Sequence, residues 1–179
     1  MRRIADRDRL LEFLHAFGQR VTGEGTVYLT GGATAVLHGW RGSTNDVDLK
    51  LDPEPPGAFE AIAKLKNELD INVELASPDL FVPEVPGWRD ASEPVGRFGR
   101  IDVRHYDLRG QALAKLARGL DRDVTDVRAM LERGLLTLEQ LRGAFDVTRE
   151  AMIRFPRLEP DAIERAIDML DAEAKAKAP

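Results

Sequence analysis

The chain has 179 residues, 43% hydrophobic and 32% charged, with a formal net charge of −5 and no cysteine. These values describe a globular chain long enough to bury a real interior, and they exclude disulfides, thiolate metal sites and cysteine nucleophiles. There is no run of eighteen apolar residues, and the charged start Met1-Arg-Arg-Ile-Ala-Asp6 has no signal-peptide pattern, so no membrane role and a cytoplasmic location are expected.

Taken in chain order, Leu10, Leu11, Leu14 and Phe17 have helical spacing, with Gly18 and Gly23 as stop signals. Residues 26–30 read as a first strand, 34–39 as a short helix and 46–51 as a second strand closed by Pro53, Pro55 and Pro56. Phe59, Ile62, Leu65 and Leu69 form a helical stripe, and 71–75 alternates as a third strand. The proline-rich stretch 77–94 reads as an ordered loop with Trp88 as its anchor, and 100–106 alternates again as a strand. Beyond it the pattern is helical: 108–120, then 124–133 after Asp121-Arg-Asp123, then a helix whose Thr137 and Gln140 form a capping box. Ile163, Ile167 and Leu170 make the last stripe. The expected fold is α+β, a small mixed sheet flanked by helices in 1–107 and a C-terminal helical portion in 108–179.

The chemistry concentrates in residues 27–51. Gly31 and Gly32 end an apolar run before a short helix, so backbone N–H groups near the helix start can face an anion with no Cβ in the way. In the second strand Asp46 and Asp48 point to one face while Val47, Leu49 and Leu51 point to the other. Two acids on one face repel unless a cation sits between them, and magnesium is held by one or two carboxylates plus substrate phosphates. Asp102, on the polar face of its strand, is the expected third carboxylate of a two-metal site, with Glu74 as its rival. Asp102 could instead pair with Arg100 or Arg104, and Asp123 stands where a helix N-cap belongs.

Gly-Gly, a short helix and a hydrophobic-flanked Asp46-Val-Asp48 together resemble the signature of the DNA polymerase β-type nucleotidyltransferase superfamily. The order Lys115, Arg122, Asp123, Asp126 is similar to that of the bacterial AbiEii and MenT-like enzymes, a group that includes toxins of toxin–antitoxin pairs. By this resemblance residues 1–107 form the nucleotidyltransferase core and 108–179 complete the site. Lys115 would contact the triphosphate, and Asp126 or Asp123 would fix the lysine or contact the nucleotide. Arg41 and Thr44 would lie near the nucleotide by the same resemblance, although the spacing Arg41-Gly-Ser-Thr44 is one residue longer than the pattern. Gly32 stands where many members have serine, and Thr30, Thr34 or Ser43 would replace the lost hydroxyl.

The expected function is magnesium-dependent transfer of a nucleoside monophosphate from a triphosphate such as ATP to an acceptor hydroxyl. The resemblance implies a tRNA 3′ end or a protein as acceptor, and a cognate antitoxin or toxin as partner. An excess of nine basic over six acidic residues between Arg97 and Arg133 favours RNA over a small-molecule acceptor such as an antibiotic. A non-catalytic nucleotide-binding or antitoxin-like module is the alternative, but it has no need of paired metal ligands. A phosphatase of the haloacid dehalogenase type is excluded by Lys50 in the fifth position of its motif.

Overall fold

The structure, a computed structural model, describes residues 3–177. The chain folds into two compact units, one of Met1–Ser77 with Ser92–Tyr106 and one of Pro78–Ala91 with Asp107–Pro179.

The first unit is built on a five-stranded mixed sheet. Its strands are β1 (Gly25–Leu29), β2 (Asp46–Leu51), β3 (Asn72–Leu75), β4 (Pro94–Phe98) and β5 (Ile101–His105), in the spatial order β3-β2-β1-β5-β4. β1 runs antiparallel to β2 and parallel to β5, β2 runs parallel to β3, and β4 is antiparallel to β5. Alternation gives this sheet one apolar and one polar face. Val27, Leu29, Val47, Leu49, Val73, Ile101 and Val103 join one buried core with Leu10, Phe13, Leu14 and Phe17 of α1 (Arg7–Arg20), Ala33 and Val36 of α2 (Gly31–His38), and Ile62 and Leu65 of α3 (Ala58–Glu68). Residues of the other parity, among them Asp46, Asp48, Asn72, Glu74, Asp102 and Arg104, belong to the polar face.

The second unit is helical: α4 (Trp88–Ala91), α5 (Leu108–Arg118), α6 (Asp121–Glu132), α7 (Leu138–Thr148) and α8 (Pro160–Lys177), with 3-10 turns at Pro78–Leu80 and Glu150–Arg154. Its interior holds Leu113, Leu116, Val127, Met130, Leu141, Phe145, Met152, Ile163 and Ile167. α5 is the central helix, packing against α6, α7 and α8. The capping box of α7 is present in both directions, Gln140 N–H to Thr137 Oγ1 at 3.1 Å and Thr137 N–H to Gln140 Oε1 at 2.9 Å. Among the described residues no helix is long and apolar enough to cross a membrane.

Several expected boundaries move. Gly18 is not a stop but lies inside α1, because a Cβ there would sit 1.8 Å from the Phe98 carbonyl oxygen and only glycine allows that approach. The stretch read as a loop contains the short helix α4, with Trp88 buried and the Arg89 guanidinium 4.5 Å from its ring. Strand β4 escaped the alternation test because it begins at Pro94 and is broken by a register shift between Pro94 and Gly96, features of an edge strand. Asp121-Arg-Asp123 is the first turn of α6 and not a linker, since the left-handed Gly119 already separates the two helices. The cap position there is Leu120, and Asp123 is fully buried.

Candidate active site

The turn from β1 into α2 places the glycine pair. Thr30 is the extended N-cap residue, and the helix begins at Gly31, with its N–H groups pointing out of the helix start, rather than at Thr34 as the sequence suggested. Gly31 has φ +55, which a side chain resists, and a Cβ there would lie 2.7 Å from Asp48 Oδ2. The Asp48 carboxylate therefore sits directly against the first residue of the helix. Thr30 N–H donates to the Asp48 carbonyl at 3.0 Å, tying the end of β1 to β2 beside that carboxylate.

Gly32 has a different partner. A Cβ at this position would lie 2.0 Å from Thr44 Oγ1, so the threonine hydroxyl fills the space that a serine at residue 32 would need. Thr44 is locked there. Its Oγ1 donates to the Asp46 carbonyl at 2.9 Å, and its backbone exchanges two 2.8 Å hydrogen bonds with Ala5. Of the other hydroxyls expected near the nucleotide, Thr30 is buried and donates to the Ala76 carbonyl at 2.9 Å, and Ser43 is half-buried in the loop before β2. Thr34 donates to the Leu29 carbonyl at 2.9 Å and lies 3.2 Å from His105 Nδ1. With its one proton given to Leu29, Thr34 Oγ1 accepts from His105, which puts a proton on Nδ1. Burial, and next the neighbouring His38, push the His105 pKa down to about 3.

Parallel pairing with β3 sets Asn72 opposite Asp46 and Glu74 opposite Asp48. The Asn72 amide nitrogen donates to Asp46 Oδ1 at 2.6 Å and to Glu74 Oε1 at 2.9 Å. Sequence reasoning missed Asn72; its only signal was its place on the same polar face of an alternating segment as Glu74. Asp102 does not join this group. It pairs with Thr26, whereas Asp48 bonds at Thr30, four positions along β1, a separation of roughly 13 Å at strand rise. Asp102 is exposed and lies 3.3 Å from Arg97, which also holds Glu24 at 2.5 Å, so the register and not its residue type removes it from the pair.

The remaining candidates lie in the second unit. Lys115 is 4% exposed, and its Nζ lies 2.6 Å from Asp126 and 3.8 Å from Asp123. Asp123 also receives Arg118 at 2.6 and 2.7 Å. Burial would raise the Asp123 pKa, but the Arg118 hydrogen bonds and the charges of Arg118, Lys115 and Arg122 outweigh it and hold the carboxyl below its usual value. Two cations and two carboxylates thus neutralise one another in the helical unit, with Lys115, Asp123 and Asp126 buried and Arg118 reaching in from the surface. Arg122 is exposed.

For a metal ion, the protein's offer in the first unit is a hard-oxygen pair, Asp46 and Asp48, on one face beside a helix start without Cβ atoms. Among the described residues no three His, Cys, Asp or Glu groups converge to hold an ion by themselves. The pair fits magnesium, whose remaining ligands come from phosphates and water.

A mixed sheet in which a glycine turn leads from β1 into a short helix, and two carboxylates open the antiparallel neighbour β2, has the character of a nucleotidyltransferase. The model of a family described as nucleotidyltransferase of unknown function (DUF6036) matches residues 8–159, and the chain belongs to that family. Comparisons with curated proteins and with solved structures give no match.

Proposed function

We propose that this protein is a magnesium-dependent nucleotidyltransferase that moves a nucleoside monophosphate from a nucleoside triphosphate to an acceptor hydroxyl. The observation that carries this reading is the contact of the Asp48 carboxylate with Gly31 at the start of α2, beside Asp46 on the same strand face. A phosphate chain at that helix start meets backbone N–H groups and lies next to both carboxylates. Asp46 and Asp48 would hold magnesium, which when bound neutralises charge on the phosphates and leaving pyrophosphate.

In the reaction the acceptor oxygen bonds to the α-phosphorus as the bond to the bridging oxygen of pyrophosphate breaks, and the hydroxyl proton leaves to a carboxylate or water. We assign Glu74, in register with Asp48, the proton-accepting role first expected of Asp102 rather than that of a third metal ligand. Thr44 supplies the hydroxyl beside Gly32. The chemistry is assigned to the first unit. Lys115, which resemblance gives a triphosphate contact, is committed to Asp126 within its own unit.

The order of Lys115, Arg122, Asp123 and Asp126 supports the toxin-like branch of the superfamily, and with it a tRNA 3′ end or a protein side chain as acceptor. The test incubates the protein with each α-labelled nucleoside triphosphate, magnesium and total tRNA, beside an Asp46→Ala control. Label on RNA that depends on Asp46 is the expected result. Label on a protein or a small hydroxyl compound instead would change the acceptor and keep the chemistry, and equal signal in both samples would end the proposal.

A further inference from the structure

Asp46 is held from two sides by residues to which no role in metal binding has been given. Thr44 Oγ1 donates to its carbonyl at 2.9 Å, and Asn72 Nδ2 donates to its carboxylate at 2.6 Å. The second contact has a chemical logic. A carboxylate only accepts, so an asparagine placed between Asp46 and Glu74 must turn its nitrogen to both, and the two N–H groups of one amide are matched to two acids. Without that neutral donor, Asp46 and Glu74 would stand as like charges at diagonal positions of neighbouring strands, in addition to the repulsion between Asp48 and Glu74 directly opposite it and within the Asp46 and Asp48 pair. The amide also distinguishes the two oxygens of Asp46. Oδ1 is engaged, and the carboxylate plane is fixed by a bond anchored in the β3 backbone, whose pairing with β2 sets Asn72 directly opposite.

We infer that Asn72 is a positioning residue of the cation site: it fixes the rotamer of Asp46, leaves the Oδ2 oxygen to face the metal, and couples Glu74 to the pair. This rests on the metal-dependent reading above. Outer partners that orient a ligating carboxylate act on affinity for the ion more than on folding, because they determine where the ligand oxygen stands before the ion arrives. Asn72 is half-buried at the start of an edge strand, where the Asp46 and Glu74 carboxylates can turn to water, so loss of its two hydrogen bonds has a small effect on stability.

The test measures manganese binding by isothermal titration and by electron paramagnetic resonance, with a non-hydrolysable ATP analogue present, in the whole chain and in three variants. Asn72→Leu keeps the side-chain shape and removes the donors, Asn72→Gln keeps an amide, and Asp48→Asn removes a ligand. The wild type binds manganese and Asp48→Asn does not; Asn72→Leu binds about tenfold more weakly with an unchanged melting temperature, and Asn72→Gln recovers most of that loss. Wild-type affinity in Asn72→Leu would overturn the inference while leaving the metal site intact. Equal losses in Leu and Gln accompanied by a lower melting temperature would also overturn it, by making the residue structural. Absence of binding in the wild type, equal to that of Asp48→Asn, would remove the metal-dependent reading itself and the inference with it.

Discussion

The hydroxyl of Thr44 occupies the volume that a side chain on Gly32 would need, with Oγ1 2.0 Å and Cβ 2.7 Å from the place of the absent Cβ. The two residues, twelve positions apart, are steric complements. The glycine is thus a consequence of the neighbour and not a loss of function at the helix start.

This complementarity predicts a one-way intolerance. Gly32→Ala should destabilise the protein by about 1–3 kcal/mol, the usual range for overpacking, measured as a lower urea midpoint. Adding Thr44→Gly opens the space and should recover part of the loss. A double variant no better than the sum of the two single ones would show that the contact is not the cause.

Asp46 and Asp48 should separate activity from stability. Asp46→Asn or Asp48→Asn removes one of two like charges, and an asparagine at 46 can still accept from Asn72, so the melting temperature should hold or rise. Nucleotide transfer should fall by a hundredfold or more, on the order of the several kcal/mol that metal charge supplies. Parallel losses of folding and activity would make the pair structural.

Lys115 is predicted to behave as part of a folded core. Lys115→Met leaves Asp126, 2% exposed, without its 2.6 Å partner, and removal of one member of a buried pair costs about 3–5 kcal/mol. Converting Asp126 to Leu as well should restore much of that stability. A stable Lys115→Met protein with a raised KM for the triphosphate would instead return the lysine to the substrate.

His105 should make the protein less stable in mild acid. Its pKa, about 3 when folded against 6.5 ordinarily, is depressed, so unfolding takes up a proton between these values. Stability contributed by the neutral ring is present above about pH 6.5 and lost as pH falls, at a slope of at most about 1.4 kcal/mol per unit. His105→Asn should lose less stability than the wild type between about pH 7 and pH 4 in denaturant titrations. Superimposable pH profiles would show that the ring does not carry this dependence.

Sequence by itself determined the elements whose signal is local. The span of β2, the shared face of Asp46 and Asp48, the α7 capping box and the glycine turn all follow from alternation, cap chemistry or the lack of a Cβ over a few residues. The mixed α+β class follows from their order. Tertiary structure decided everything that depends on which strands are neighbours. Asp102 and Glu74 sit on equally polar strand faces, and only the register with β1 and β3 sets one far from Asp48 and the other beside it. Gly18 reads as a stop until the Phe98 carbonyl comes against it, and β4 is hidden by its proline and its irregular register. Asn72 has no signature in a single chain, because a hydrogen bond spanning 26 residues exists only once β2 and β3 have paired.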